Sequence, residues 1–243
     1  MPRVVMWRRG FLRMLDPVGR VAMISGAARG IGREVLRRLH GSGWLVSAGV
    51  RDPRKLPAVG DMLVHPYEAE EQGSAEAWVA ATVARFGRVD VVINAAGINP
   101  MARLLDEDES QHDAMWRVNV KGPMRVIRAA WPHLVSGGSG RVVNIASLSG
   151  RRVANENIGY AMSKFAVVAL TQEVRRKGWE HGIRATAFCP GYVATDMTSA
   201  ANWPREQMSR PEDVAVLIET LIRLPNTATV GEVSLNCRFE ALA

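Results

Sequence analysis

This sequence predicts a doubly wound α/β fold around a parallel sheet, and three observations carry that prediction. Short apolar runs such as Val21-Ala-Met-Ile24 and Val89-Asp-Val-Val-Ile93 read as strands buried on both faces. Segments of helical spacing separate these runs along nearly the whole chain. No internal repeat, low-complexity tract or linker divides the 243 residues, so they read as one Rossmann-like, three-layer domain.

Each element follows from local pattern. Residues 21–24 form the first strand and run into glycines. Residues 31–40 have helical spacing, 44–50 are strand-like, and 62–65 form a weaker strand. Residues 75–86 read as a helix and 89–93 as a buried strand. Residues 110–134 read as one long helix, bent at Pro123 and ended by Pro132. A strand at 141–146, a long helix at 158–180 and a strand at 183–188 follow. A helix at 211–224 and a last strand at 232–236 complete the domain, which spans residues 18–243.

Composition narrows the function. The net charge is +7, but Arg3, Arg8, Arg9 and Arg13 precede the first acid at Asp16. Much of the excess therefore belongs to a basic extension over residues 1–17, read as flexible, with Met14 as an alternative start. The extension lacks the unbroken apolar core of a secretory signal. Beyond it no stripe of basic and aromatic residues suggests nucleic acid as a partner. No run approaches the roughly 18 uninterrupted apolar residues of a membrane span. Two cysteines, Cys189 and Cys237, make neither a disulfide framework nor a metal cluster, so a reducing, cytoplasmic setting is expected.

In an open parallel sheet the ligand site lies beyond the carboxyl ends of the strands. Asn94, Ser147 and Pro190 all follow expected strands and so share that edge. Ser25-Gly26-Ala-Ala-Arg29-Gly30-Ile31-Gly32 joins the first strand to the first helix there. Its glycines let backbone approach a pyrophosphate, and the helix N-terminus adds oriented N–H groups. Tyr160-Ala-Met-Ser-Lys164 sets a phenol and an ammonium one helical turn apart. The ammonium is expected to favour the phenolate and pull the Tyr160 pKa down, so that the phenol exchanges a proton near neutral pH. Ser147, arriving on another element, could hold a carbonyl oxygen against it.

With the glycine turn and the Tyr160–Lys164 pair together, residues 20–236 resemble the short-chain dehydrogenase/reductase family, classical type. Asn94-Ala95-Ala96-Gly97 is similar to the family's Asn-Asn-Ala-Gly after the fourth strand. Asn119 falls where the family has a catalytic Asn, and Ser147 precedes Leu-Ser-Gly150. Pro190-Gly191 and Thr195 match the family's Pro-Gly turn and the Thr that holds the nicotinamide carboxamide.

The resemblance implies hydride transfer between nicotinamide C4 and a carbonyl carbon. It makes Tyr160 the proton donor or acceptor, and Ser147 the group that orients and polarises the carbonyl. Lys164 would lower the Tyr pKa and bind the ribose, and Asn119 would hold a water linking Lys164 to solvent. The implied cofactor contacts are Ser25, Gly26, Arg29, Gly30, Ile31, Gly32, Arg51 and Glu68 at the adenosine and pyrophosphate end. Asn94, Ala95, Ala96, Gly97, Tyr160, Lys164, Pro190, Gly191, Val193 and Thr195 complete them.

Charge suggests which dinucleotide. NAD-preferring members carry an acid at the end of the second strand, but here Val50 holds that place and Arg51 follows. Arg29 is a second cation on the same side. Two guanidinium groups without a carboxylate favour the 2′-phosphate of NADP(H). Three departures stand out. Ser25 replaces the usual Thr, Ala95 removes one Asn and its bracing contact, and Glu68 replaces an adenine-binding Asp.

Substrate walls are expected after Gly97, Ser147 and Gly191, from residues that include Asn99, Arg151, Arg152, Asn157, Tyr192 and Trp203. Arg151 and Arg152 could receive a carboxylate or phosphate, or serve solubility and subunit contacts. The short segment between Thr195 and Pro211 suggests an open pocket that accepts aldehydes or ketones, and an NADP(H) cofactor suggests that they are reduced. The resemblance implies a homodimer or homotetramer formed through the helices bearing Asn119 and Tyr160. A catalytically silent NADP-binding sensor is the rival reading, and the presence of both Tyr160 and Lys164 counts against it.

Overall fold

The computed structural model describes residues 14–239, and the strand at its centre, β1 (Val21–Ser25), is buried along its whole length. Its alternation sets the layers. Ala22 and Ile24 pack into one core cluster, and Met23 between them packs into the other. Around it lie β2 (Leu45–Val50), β3 (Leu63–Pro66), β4 (Val91–Asn94), β5 (Arg141–Ile145), β6 (Arg184–Pro190) and β7 (Glu232–Leu235). The seven strands pair in parallel in the order β3-β2-β1-β4-β5-β6-β7. The winding direction reverses between β1 and β4, which opens a crevice at their carboxyl ends. This is the predicted doubly wound, Rossmann-like architecture.

Helices α1 (Gly30–Gly41) and α6 (Pro211–Arg223) cover one face through Val35, Leu36, Leu39, Val214 and Ile218. Helices α2 (Ser74–Phe86), α4 (Gly122–Ser136) and α5 (Ile158–Gly178) cover the other through Trp78, Ile127, Leu134 and Val174. Trp78 needs a bare backbone beneath it. A side chain on Gly49 would stand 2.8 Å from the indole, and the indole N–H donates to Ser47 Oγ at 2.9 Å.

The long helix expected over residues 110–134 is not continuous. A short α3 (Ser110–Met115) passes through a π-helical segment, Trp116–Lys121, into α4. Pro123 lies in the first turn of α4, directly after the π-helical segment. Pro132 does not end the helix but sits within it. Ala130 and Leu134 on either side are fully buried, and their packing offsets the roughly 3 kcal/mol that an internal proline costs. Residues 1–13 of the basic extension lie outside the described residues. Leu15 meets α6, its N–H donating to the Arg223 carbonyl at 2.6 Å.

Candidate active site

The glycine turn between β1 and α1 is built for close approach. Gly26 has φ +67°, and a Cβ there would stand 2.8 Å from the backbone of Ala96. Gly30 has φ +55°, and its Cβ would meet the Thr195 side chain at 3.3 Å. A Cβ on Gly32 would overlap the Gly26 carbonyl at 2.5 Å. The turn thus brings together the segment after β4 and the segment after β6. Arg29 precedes α1 without a side-chain cap, and no acid lies in the first helical turn. The first backbone N–H groups of α1 therefore have no intrahelical or side-chain acceptor, as an anion site requires.

Ser25 ties this turn to β4. Its hydroxyl accepts from the N–H groups of Ala95 and Ala96 at 3.1 and 3.2 Å. Ala95 itself offers no side-chain hydrogen bond, and the polar bracing of β4 runs through Asn94. Asn94 Nδ2 donates to Asn144 Oδ1 at 2.8 Å, and Asn144 Nδ2 donates to Thr171 Oγ1 at 2.8 Å. Asn144 and Thr171 were not singled out from sequence. The signal was present, because a polar residue inside the buried run Arg141-Val-Val-Asn-Ile needs a partner.

On the β2 side of the crevice Arg51 directly follows β2 and is exposed. Asp52 does not pair with it. The Asp52 carboxylate instead accepts from Arg54, at 2.9 and 3.1 Å. Arg29 lies 3.7 Å from Asp196, both largely exposed. Glu68 follows β3, with its N–H donating to Ser74 Oγ at 2.9 Å. Pro190 ends β6, and the Gly191 N–H donates to the Leu235 carbonyl at 2.8 Å. Val193 is buried in the core beneath, and the half-buried Ile31 packs on the same cluster. Thr195 is held by Thr198, whose Oγ1 accepts its N–H at 3.3 Å.

The four catalytic candidates converge. Ser147 leaves β5 and accepts from the Ser149 N–H at 3.1 Å. Its hydroxyl faces the half-buried Tyr160 phenol, an interaction that favours the phenolate. Lys164 Nζ lies 5.5 Å from the centroid of the Tyr160 ring and donates to the Ile145 carbonyl at 2.8 Å. Asn119, in the π-helical segment, accepts from the Ile98 N–H at 2.8 Å and donates to the Ile98 carbonyl at 2.9 Å. It also donates to Ser163 Oγ at 3.1 Å, which links the segment to α5 one residue before Lys164. π-helical turns recur at functional sites because they re-aim one side chain.

One expectation is overturned. Tyr160 is not pulled down; burial pushes its pKa up to about 12, against the opposing Ser147 hydrogen bond. Burial also depresses Lys164, to about 8. The desolvation that disfavours the phenolate disfavours the ammonium as well, and the ammonium is directed at a backbone carbonyl.

On the substrate side Arg151 pairs with Glu232 of β7 at 3.0 Å, so it is engaged in a structural contact rather than left for a substrate anion. The C-terminal segment makes a contact with two of the expected wall residues that sequence reasoning missed. The Arg238 guanidinium lies 4.7 Å from the Trp203 ring centroid and 5.4 Å from that of Tyr192.

Comparison with known proteins agrees with this geometry. Residues 20–206 match the family model of short chain dehydrogenases. Two agropine synthesis reductases of Rhizobium rhizogenes are each 36% identical, aligned over 99% and 98% of this chain, and the chain spans 58% of their length. An uncharacterized oxidoreductase of Staphylococcus aureus is 30% identical over 89% of this chain and 96% of its own. Among solved structures, an alcohol dehydrogenase from the archaeon Thermococcus sibiricus, complexed with 5-hydroxy-NADP, gives a TM-score of 0.81 at 28% identity. That match covers 89% of this chain and 95% of the other. Thermoplasma acidophilum aldohexose dehydrogenase shares the fold, with a TM-score of 0.82 at 19% identity over 92% of this chain and 95% of its own. The glycine turn, the Ser147–Tyr160–Lys164 constellation and the match over most of the chain place this protein in the short-chain dehydrogenase family of oxidoreductases.

Proposed function

We propose that the protein is an NADP(H)-dependent oxidoreductase that reduces a ketone or aldehyde. The observation that carries this reading is the half-buried Tyr160 phenol, with the Ser147 hydroxyl against it and the Lys164 ammonium over its ring. The turn through Gly26, Gly30 and Gly32 fits a dinucleotide pyrophosphate: a Cβ at these positions would meet Ala96, Thr195 and the Gly26 carbonyl, so glycine lets the turn close tightly ahead of the α1 N-terminus. When bound, the nicotinamide group supplies the hydride and, in its oxidised form, a positive charge that favours the phenolate.

The chain's own residues do the rest. Tyr160 gives its proton to the carbonyl oxygen as negative charge develops there. Ser147 donates a hydrogen bond to the same oxygen, waiting where the charge appears. Lys164 binds the ribose hydroxyls and returns a proton to Tyr160, with Asn119 positioning the water that links Lys164 to solvent. Arg51 and Arg29 take the 2′-phosphate. Arg51 has no ion-pair or hydrogen-bond partner among the described residues, which supports that assignment. The bound 5-hydroxy-NADP of the Thermococcus relative and the name of the Rhizobium reductases point the same way.

We assign a homodimer or homotetramer in the cytoplasm. Exposed Trp116 and Met124 near Asn119, and exposed Met162 and Phe165 on α5, support pairing through those helices. Both cysteines are free thiols, in keeping with a reducing compartment.

The deciding experiment is a panel of ketones and aldehydes with NADPH and NADH, run on wild type and Tyr160→Phe. Turnover by wild type, lost in Tyr160→Phe with NADPH binding retained, is the expected result. Equal turnover by both proteins rejects Tyr160 as the proton donor.

A further inference from the structure

The buried Asn157 side chain uses all four of its hydrogen-bonding positions. Oδ1 accepts from the Ala102 N–H at 3.1 Å and from the Tyr160 N–H at 3.3 Å. Nδ2 donates to Asn99 Oδ1 at 2.9 Å and to the Pro100 carbonyl at 2.8 Å. One carboxamide therefore touches the backbone of Tyr160 and three successive points of the loop after Gly97.

Neighbouring contacts reinforce the junction. The Gly159 N–H donates to the Ala102 carbonyl at 3.1 Å. A side chain on Gly159 would stand 2.8 Å from the Ala102 Cβ, His112 Nδ1 and the end of Met115. Arg103 Nε bonds Glu156 at 3.0 Å on the outer side. The loop over residues 99–103 is fastened to the chain just before α5, and Asn157 is the buried centre of that fastening.

Capping α5 needs only one acceptor, and Ser, Asp and Asn all serve in that place. Three of the four Asn157 contacts lie outside capping. They fix where the substrate-side loop stands relative to Tyr160. We propose that Asn157 is a positioning residue that holds the 99–102 loop in register with Tyr160, so that a substrate carbonyl resting on the loop meets the phenol. This rests on the reading of Tyr160 as proton donor. The amide acts through the loop and the helix, without touching the reacting atoms.

Two variants separate capping from clamping. Asn157→Ser keeps an acceptor for the Tyr160 N–H but loses both amide donors and the reach to Ala102. Asn157→Asp keeps the acceptors but turns a carboxylate oxygen towards Asn99 Oδ1 and the Pro100 carbonyl. Carbonyl reduction with NADPH, NADPH binding and amide hydrogen exchange are measured on both variants and on wild type.

In both variants kcat/KM for the carbonyl substrate is expected to fall roughly 10- to 100-fold, the scale of a displacement of about 1 Å. The NADPH Kd is expected to stay within about twofold, since the glycine turn, Arg29 and Arg51 lie away from Asn157 and are untouched by either change. Exchange at Ala102 N–H is expected to speed up while exchange across β1 and β4 stays slow. A general loss of stability would instead accelerate exchange in the sheet and weaken NADPH binding. Wild-type kcat/KM in either variant, or unchanged exchange at Ala102, overturns the proposal. A wild-type enzyme that reduces no carbonyl in the panel overturns the reading of Tyr160 and the positioning role with it, a result told apart by the control alone.

Discussion

Lys164 Nζ lies 5.5 Å from the centroid of the Tyr160 ring yet spends a hydrogen bond on the Ile145 carbonyl at 2.8 Å. The ammonium is thus anchored to the end of β5 and passes by the phenol rather than ending on it. Burial then sets both groups: Tyr160 titrates near 12 and Lys164 near 8. The pair is a protonated acid beside a cation that loses its charge easily, which suits delivery of a proton at neutral pH.

This ordering gives the two reaction directions different pH profiles. On the proposed role of Tyr160, reduction draws on the neutral phenol, which persists up to about pH 12. Oxidation needs the phenolate, whose fraction grows by as much as about tenfold per pH unit below that value. Alcohol oxidation is therefore expected to accelerate from neutral pH into the alkaline range, while carbonyl reduction stays level and then declines. Initial rates in both directions across one buffer series provide the check. An oxidation maximum at or below neutral pH would contradict the high phenol pKa.

The same two groups couple stability to pH with opposite signs. Lys164 titrates near 8 in the folded protein against 10.5 for an ordinary lysine. Between those values the unfolded chain holds the proton that the folded protein has lost, so stability rises with pH. Tyr160 reverses the trend from 10 to about 12, where the folded protein keeps the proton. Urea unfolding at pH 8 and pH 9.5 is expected to show wild type gaining stability and Lys164→Met gaining less. An identical gain in the two proteins would place the effect on other groups.

Cofactor choice has a compact test. Arg51 stands at the end of β2, and the adjacent carboxylate of Asp52 is taken up by Arg54. Arg29 reaches Asp196 only at 3.7 Å across an exposed surface, a pair that salt screens and a phosphate can replace. Arg51→Asp is expected to shift the ratio of kcat/KM with NADPH to that with NADH by roughly tenfold or more towards NADH, the size of one charge-assisted contact exchanged for repulsion. Arg29→Ala should move the ratio the same way by less. An unchanged ratio in Arg51→Asp would remove the 2′-phosphate from that end of the sheet.

The architecture was legible because its signals are local. Strand runs such as 89–93 and the alternation of apolar residues in the helices survive tertiary packing unchanged, and the observed bounds fall within a residue or two of those expected. The breaks came where context outweighs propensity. Pro132 reads as a stop, but burial of Ala130 and Leu134 carries α4 past it. The π-helical segment around Asn119 has no composition of its own, and only the fold packs it and α3 against α5. At the site, Tyr160, Lys164 and Ser147 were visible as spacing, while the direction of the Tyr160 shift was not. Spacing reports which charges are near but not how much water is excluded. The partners Asn144, Thr171 and Ser163 lie on other elements, so only the fold brings them into contact.

The opposite edge of the sheet separates stability from catalysis. Asp90 is buried just before β4, where its carboxylate accepts from the Val21 N–H at 2.9 Å and from Arg88 at 2.8 and 2.6 Å. Arg20 adds a longer contact at 3.4 Å. Replacing this side chain leaves the Val21 N–H without its acceptor at the start of the central strand, while the more exposed Arg88 returns to water. Asp90→Ala is expected to cost about 2–4 kcal/mol, the range for stranding a buried donor and dissolving its ion pair. Asp90→Asn, which keeps an acceptor for Val21, should cost less. Because the active site lies at the carboxyl ends of the strands and Asp90 at the amino ends, kcat per folded molecule should remain that of wild type in both variants. Urea unfolding and single-temperature turnover on the same samples measure the two quantities independently. A fall in kcat without a fall in stability would mean that Asp90 reaches the active site by a route other than the packing of β1 and β4.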